Sequence, residues 1–143
     1  MVAEAPRCEW VIIADSARLI PTSVPERNVL KLDIIGVTGI VEVGRGDARP
    51  LTPLHVITSW RGARAGRFAF TILIRRIVPE SDREASLDAE GVLDERGHTF
   101  VVAPLEDSPS RAAAFWGHGE YLFEILHGGQ VMVSTTLFVL PRG

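Results

Sequence analysis

The sequence predicts an all-β fold in which two antiparallel sheets pack face to face as a sandwich. Three observations lead there. Apolar residues recur at every second position in several separate runs, glycines and prolines stand between those runs, and helix signals are confined to short stretches. With 143 residues, residues 1–143 are expected to form a single domain around one core.

Taken in order, "EWVIIADSA" (9–17) is the first expected strand, rich in β-branched and aromatic residues. "VLKLDII" (29–35) alternates, with Leu30, Leu32 and Ile34 on the inward parity and Lys31 and Asp33 outward. Past Gly36 the parity reverses to Val37, Val41 and Val43, so a bent strand turning a corner near Gly36 and Gly39 is expected. "LHVITSW" (54–60) is a further strand, and prolines 21, 25, 50 and 53 are read as loop punctuation. The clearest alternation is "RFAFTILIRR" (67–76), which places Phe68, Phe70, Ile72 and Ile74 on one face.

In the second half, "GVLDERGHTFVVA" (91–103) reads as a hairpin turning around Asp94 to Gly97. Two short helical turns are expected: Ser81 to Glu84 by its capping-box spacing, and 108–117 by Ser108, Pro109 and Gly117 as cap, first turn and stop. The chain closes with "GEYLFEILHGGQVMVSTTLFVL" (119–140). Tyr121, Phe123 and Ile125 share odd parity with Val131, Val133, Leu137 and Val139, so a three-residue loop, His127 to Gly129, is expected to set both groups on one face. The total is seven to eight strands in an immunoglobulin-like or related antiparallel β-sandwich.

Beyond these patterns, "WVIIADSARLI", then "LKLDIIGV", then the closing "GEYLFEILHGGQVMVSTTLFVL" resemble a family of uncharacterised bacterial and phage β-sandwich domains of unknown function. In that family an "ADxA" strand leads to a "GKLxILG" strand and the chain ends in a "PGxYxFxVxxDG" hairpin. The resemblance implies the sandwich and supplies no catalytic residues.

Composition excludes several classes of function. Net charge of −3 gives no global attraction for nucleic acid or an anionic membrane. Apolar runs such as "FAFTILI" fall far short of the roughly 20 residues that span a bilayer. The N-terminal "MVAEAPRCEW" lacks the basic start and long apolar stretch of a signal peptide, and Cys8 is the single cysteine, so a cytoplasmic setting is expected. Glu9 beside Cys8 disfavours a thiolate. Seven acids against Arg83 alone between Glu80 and Glu95 read as a solvated stretch.

Chemistry-bearing groups are sparse. The histidines lack ligand spacing: His118 and His127 flank one strand at roughly 30 Å, and only His98 is placed to approach His118 across strands. No metal or cofactor is expected. Asp15 follows an apolar run, and is read as an acceptor for a nearby turn or strand, or as a base raised by burial. No nucleophile elbow accompanies Asp15 and Ser16. "GRGDAR" (44–49) lacks the third glycine of a phosphate loop, and its Arg45-Gly46-Asp47 is read as chance.

One surface constellation stands out: Trp60 beside Arg61, Arg64 and Arg67, able to bind a ligand or partner if the indole faces solvent, with Trp60 packed under the core as the alternative. The resulting expectation is a non-enzymatic module that binds a protein partner or itself. A small-ligand or carbohydrate-binding module using Trp60 or Trp116 is the second expectation, and an enzyme of unrecognised type around Asp15 and the histidines the third.

Overall fold

The computed structural model describes residues 5–24, 27–37, 40–43, 54–105 and 118–141. Nine strands run through them: β1 (Arg7–Val24), β2 (Arg27–Val37), β3 (Ile40–Val43), β4 (His55–Arg61), β5 (Gly66–Val78), β6 (Glu84–Leu93), β7 (His98–Pro104), β8 (Gly119–His127) and β9 (Gln130–Pro141). They form a four-stranded sheet in the order β2-β1-β4-β7 and a five-stranded sheet in the order β3-β9-β8-β5-β6. All pairings are antiparallel except β3 with β9. The chain is an all-β sandwich.

The ninth strand comes from the loss of parity after Gly36. What reads as one bent strand is two, β2 in the first sheet and β3 in the second, so the corner expected there carries the chain from one layer to the other. β1 is longer than its apolar run suggests. Its first part, Arg7 to Ala14, pairs with β4, and from Ala14 to Val24 it pairs with β2 instead. Pro21 is thus not in a loop but inside β1 opposite Leu30, where no β4 residue needs its missing N–H. The inward placement expected of Leu30 and Leu32 falls on side chains outside the described residues, and Ile34 is half-buried.

The core follows the alternation of the sequence. Phe68, Phe70, Ile72 and Ile74 of β5, Tyr121, Phe123 and Ile125 of β8, and Leu137 and Val139 of β9 meet Val11, Ile13, Leu54, Val56 and Trp60 of the opposite sheet. Burying each of the larger side chains contributes about 1.5–3 kcal/mol.

Two local expectations are corrected. Ser81 starts no helix; its Oγ accepts a hydrogen bond from the Arg83 N–H at 3.2 Å, a local turn that competes with helix, and Glu84 opens β6. The helical turn expected over 108–117 lies outside the described residues. The stretch around Asp94 to Gly97 is a tight turn but not a hairpin, because β6 pairs with β5 while β7 pairs with β4. This turn joins the two sheets. Gly97 adopts φ 72° with Gly62 against it, where an added Cβ would collide with the Gly62 carbonyl oxygen.

The closing hairpin sets Val133, Leu137 and Val139 on the face of Tyr121, Phe123 and Ile125 as expected, but by another route and without Val131. His127 pairs with Gln130, so the loop is Gly128-Gly129 alone, with φ of 60° and 78° as a type I′ turn requires. A bulge then skips Met132, so that Leu126 faces Val131 but Ile125 faces Val133. The extra residue restores the parity that a two-residue turn would have split. Val131, before the bulge, stays on the outside and is 52% exposed.

Candidate functional site

The arginine-rich constellation is divided by the sheet. Leu54, just before β4, and Val56, Thr58 and Trp60 within it point into the sandwich, and Trp60 is completely buried. Its ring lies 4.7 Å from both Phe68 and Phe70 and 5.9 Å from His127, and its Nε1 donates to Thr58 Oγ1 at 2.8 Å. Trp60 offers no face to a ligand, which corrects its reading as a surface platform. Arg61, Arg64 and Arg67 are exposed around the loop from β4 to β5. Arg61 pairs through Nε with Glu9 Oε1 at 2.8 Å, an exposed ion pair worth under about 1 kcal/mol.

The opposite face of the same sheet carries a cluster absent from the sequence expectations. Trp10, Ser59 and Phe100 stand in one cross-strand row, and Ile12, Ile57 and Val102 in the next. Trp10 is 36% exposed, with its ring 5.8 Å from Phe100, while His98 meets Phe100 edge-on at 4.6 Å. Ser59 Oγ donates to Glu9 Oε1 at 3.4 Å and lies 3.2 Å from His98 Nε2. The carboxylate sits on the serine rather than on the far imidazole nitrogen, and Ser59 is buried, so the arrangement differs from a hydrolytic triad. It fixes the row structurally. The signal was present in the sequence as the second parity of "EWVII" and "LHVITSW".

Cys8 closes the inner end of this region. Burial, reinforced by the charge of Glu9, pushes its thiol up to about 11, against the lowering effect of hydrogen bonds to the Trp10 and Ser59 backbone. That thiol stays neutral and unreactive at ordinary pH.

The histidines are dispersed. His98 begins β7 beside Arg61, His127 ends β8 against Trp60 and Phe68, and His118 lies beyond the far end of β5, its carbonyl accepting from Arg76. His98 therefore does not approach His118. Among the described residues, no three His, Cys, Asp or Glu side chains are grouped as a metal ion would require. The side chains of Asp15 and Ser16, all of 44–49, and Trp116 lie outside the described residues. On the five-stranded sheet, an open groove of about 570 Å³ is lined by residues including Thr71, Asp88, Glu90 and Leu126, with Thr71 Oγ1 donating to Asp88 at 3.1 Å.

No family model matches the chain, and no curated protein does. Among solved structures it is similar to the crystal structure of an immunoglobulin-like protein from Pseudomonas aeruginosa. The two are 15% identical, the match covers 91% of this chain and 96% of the other, and the TM-score is 0.39.

Proposed function

We propose that this chain is a non-enzymatic β-sandwich module that works by associating with protein, as one part of a larger assembly. The observation supporting this is the outer side of β9, where Phe138 and Leu140 are 46% and 45% exposed. Exposed side chains of that size at alternate positions on one sheet face form the apolar centre that protein interfaces use. A Phe138→Lys, Leu140→Lys double variant should keep the wild-type melting curve and lose any partner that co-purifies from the native extract. Wild-type protein that recruits nothing would contradict the reading.

A second reading, a small-ligand or carbohydrate-binding module, draws support from the half-exposed Trp10 beside Phe100. Ring faces next to Glu9, His98 and Arg61 are the chemistry on which a sugar stacks and hydrogen-bonds. Saturable quenching of tryptophan fluorescence by a sugar, abolished in Trp10→Ala, would select it over protein association.

A further inference from the structure

The four strands at the margins of the two sheets are β2, β7, β3 and β6. Sheet margins invite pairing with other chains, and proteins protect them with charge, short length or bulges. β2 carries Arg27, Lys31 and Asp33, β3 is four residues long, and β6 carries exposed Glu84, Asp88 and Glu90. β7 carries no charged residue and no bulge, and its one guard is the proline at its last position, Pro104. Its sequence HTFVVAP contains no Asp, Glu, Lys or Arg, and it pairs with β4 over seven residues without a bulge.

Its hydrogen-bonding direction is fixed at both ends. The Leu105 N–H donates to the Leu54 carbonyl and the Gly62 N–H to the Gly97 carbonyl. In an antiparallel ladder the bonded positions alternate, so Thr99, Val101 and Ala103 bond to β4 while Phe100 and Val102 direct N–H and C=O away from it. Among the described residues no strand takes up that side. The Phe100 carbonyl is partly served by Thr99 Oγ1 at 3.3 Å.

We propose that β7 pairs antiparallel with β7 of a second copy of this chain about a two-fold axis at Val101. This rests on the protein-association reading and names one partner. Pairing about Val101 sets Phe100 opposite Val102 of the other copy, and these are the two residues whose backbone groups point outward. It opposes no like charges, whereas β6 pairing with its own copy would bring Asp88 and Glu90 close to the same acids. It also keeps Phe100 and Val102 on the outer face, so the rows Trp10–Ser59–Phe100 and Ile12–Ile57–Val102 continue into one another across the axis. A shift of one residue would set outer positions against inner ones. The result is one continuous eight-stranded sheet.

Light scattering across a concentration series should show a species of twice 15.6 kDa. Val102→Pro removes an N–H that faces away from β4, so it should leave the monomer folded and abolish the dimer. Val101→Cys in a Cys8→Ala background should form a disulfide-linked dimer on oxidation. The two Cα atoms of such a non-bonded pair lie about 4.5 Å apart, within disulfide reach. If Val102→Pro fails to fold, the cross-link decides. A monomer at every concentration, or a dimer that neither cross-links at position 101 nor responds to Val102→Pro, would overturn the proposal. A monomer that still binds another protein through Phe138 and Leu140 would leave the broader association reading standing.

Discussion

At the scale of single residues, Trp60 is where the strand's own pattern left two answers open. Leu54, Val56, Thr58 and Trp60 share one parity, but Trp60 ends the run beside Arg61, so the pattern alone left open whether the last indole packs under the core or joins the arginines at the surface. The structure resolves this by burying Trp60 among Phe68, Phe70 and His127. Trp60→Ala should therefore cost about 3–5 kcal/mol in a urea titration. Thr58→Val, which strands the indole N–H, should cost about 1–3 kcal/mol, while Arg64→Ala should stay within about 0.5 kcal/mol. A mild effect of Trp60→Ala would contradict the burial.

Cys8 gives a second residue-scale test. Unfolding frees its thiol to ionise from its ordinary value of 9.0, while the folded thiol stays neutral until about 11. The folded state thus binds the extra proton in that window, and the Cys8 contribution is complete below it and lost as pH rises through it. Urea midpoints of the wild type should fall more between about pH 8 and about pH 10 than those of Cys8→Ala. Equal slopes would show that the thiol is not buried.

At the scale of elements, β5 was the most legible because its two faces differ sharply, and its Phe68 to Ile74 alternation appears unchanged in the core. The closing hairpin was legible in parity but not in mechanism. A two-residue turn with a bulge and a three-residue loop both leave Val133, Leu137 and Val139 on the core face and differ only at Val131, before the bulge, so the parity of the longer run could not distinguish them. The register makes an asymmetric prediction. Deleting Met132 removes the bulge yet keeps Ile125 opposite Val133, Phe123 opposite Thr135 and Tyr121 opposite Leu137. That variant should retain its β-sheet circular dichroism and a cooperative melt. Inserting one alanine after Ser134 instead turns Leu137 and Val139 toward solvent and should unfold the chain. If insertion and deletion were equally tolerated, the register would be wrong.

For the whole molecule, the sequence announced strands but not their distribution between sheets. Sheet membership depends on long-range pairing, and strands of both layers carry the same two-residue alternation, so Asp94 to Gly97 looked like a hairpin turn when it is the passage from one sheet to the other. The same limit hid the candidate site. The row of Trp10, Ser59 and Phe100 joins positions from three distant segments, and only the finished sheet reveals that β7 ends it with no charged residue along the strand. Amide hydrogen exchange, followed residue by residue across a concentration series, addresses association at β7 most directly. Thr99, Val101 and Ala103, bonded to β4, should be slow at every concentration. Phe100 and Val102 should be slow in concentrated protein and become fast on dilution; fast exchange at both positions throughout the series, with their neighbours still protected, would contradict pairing along this strand.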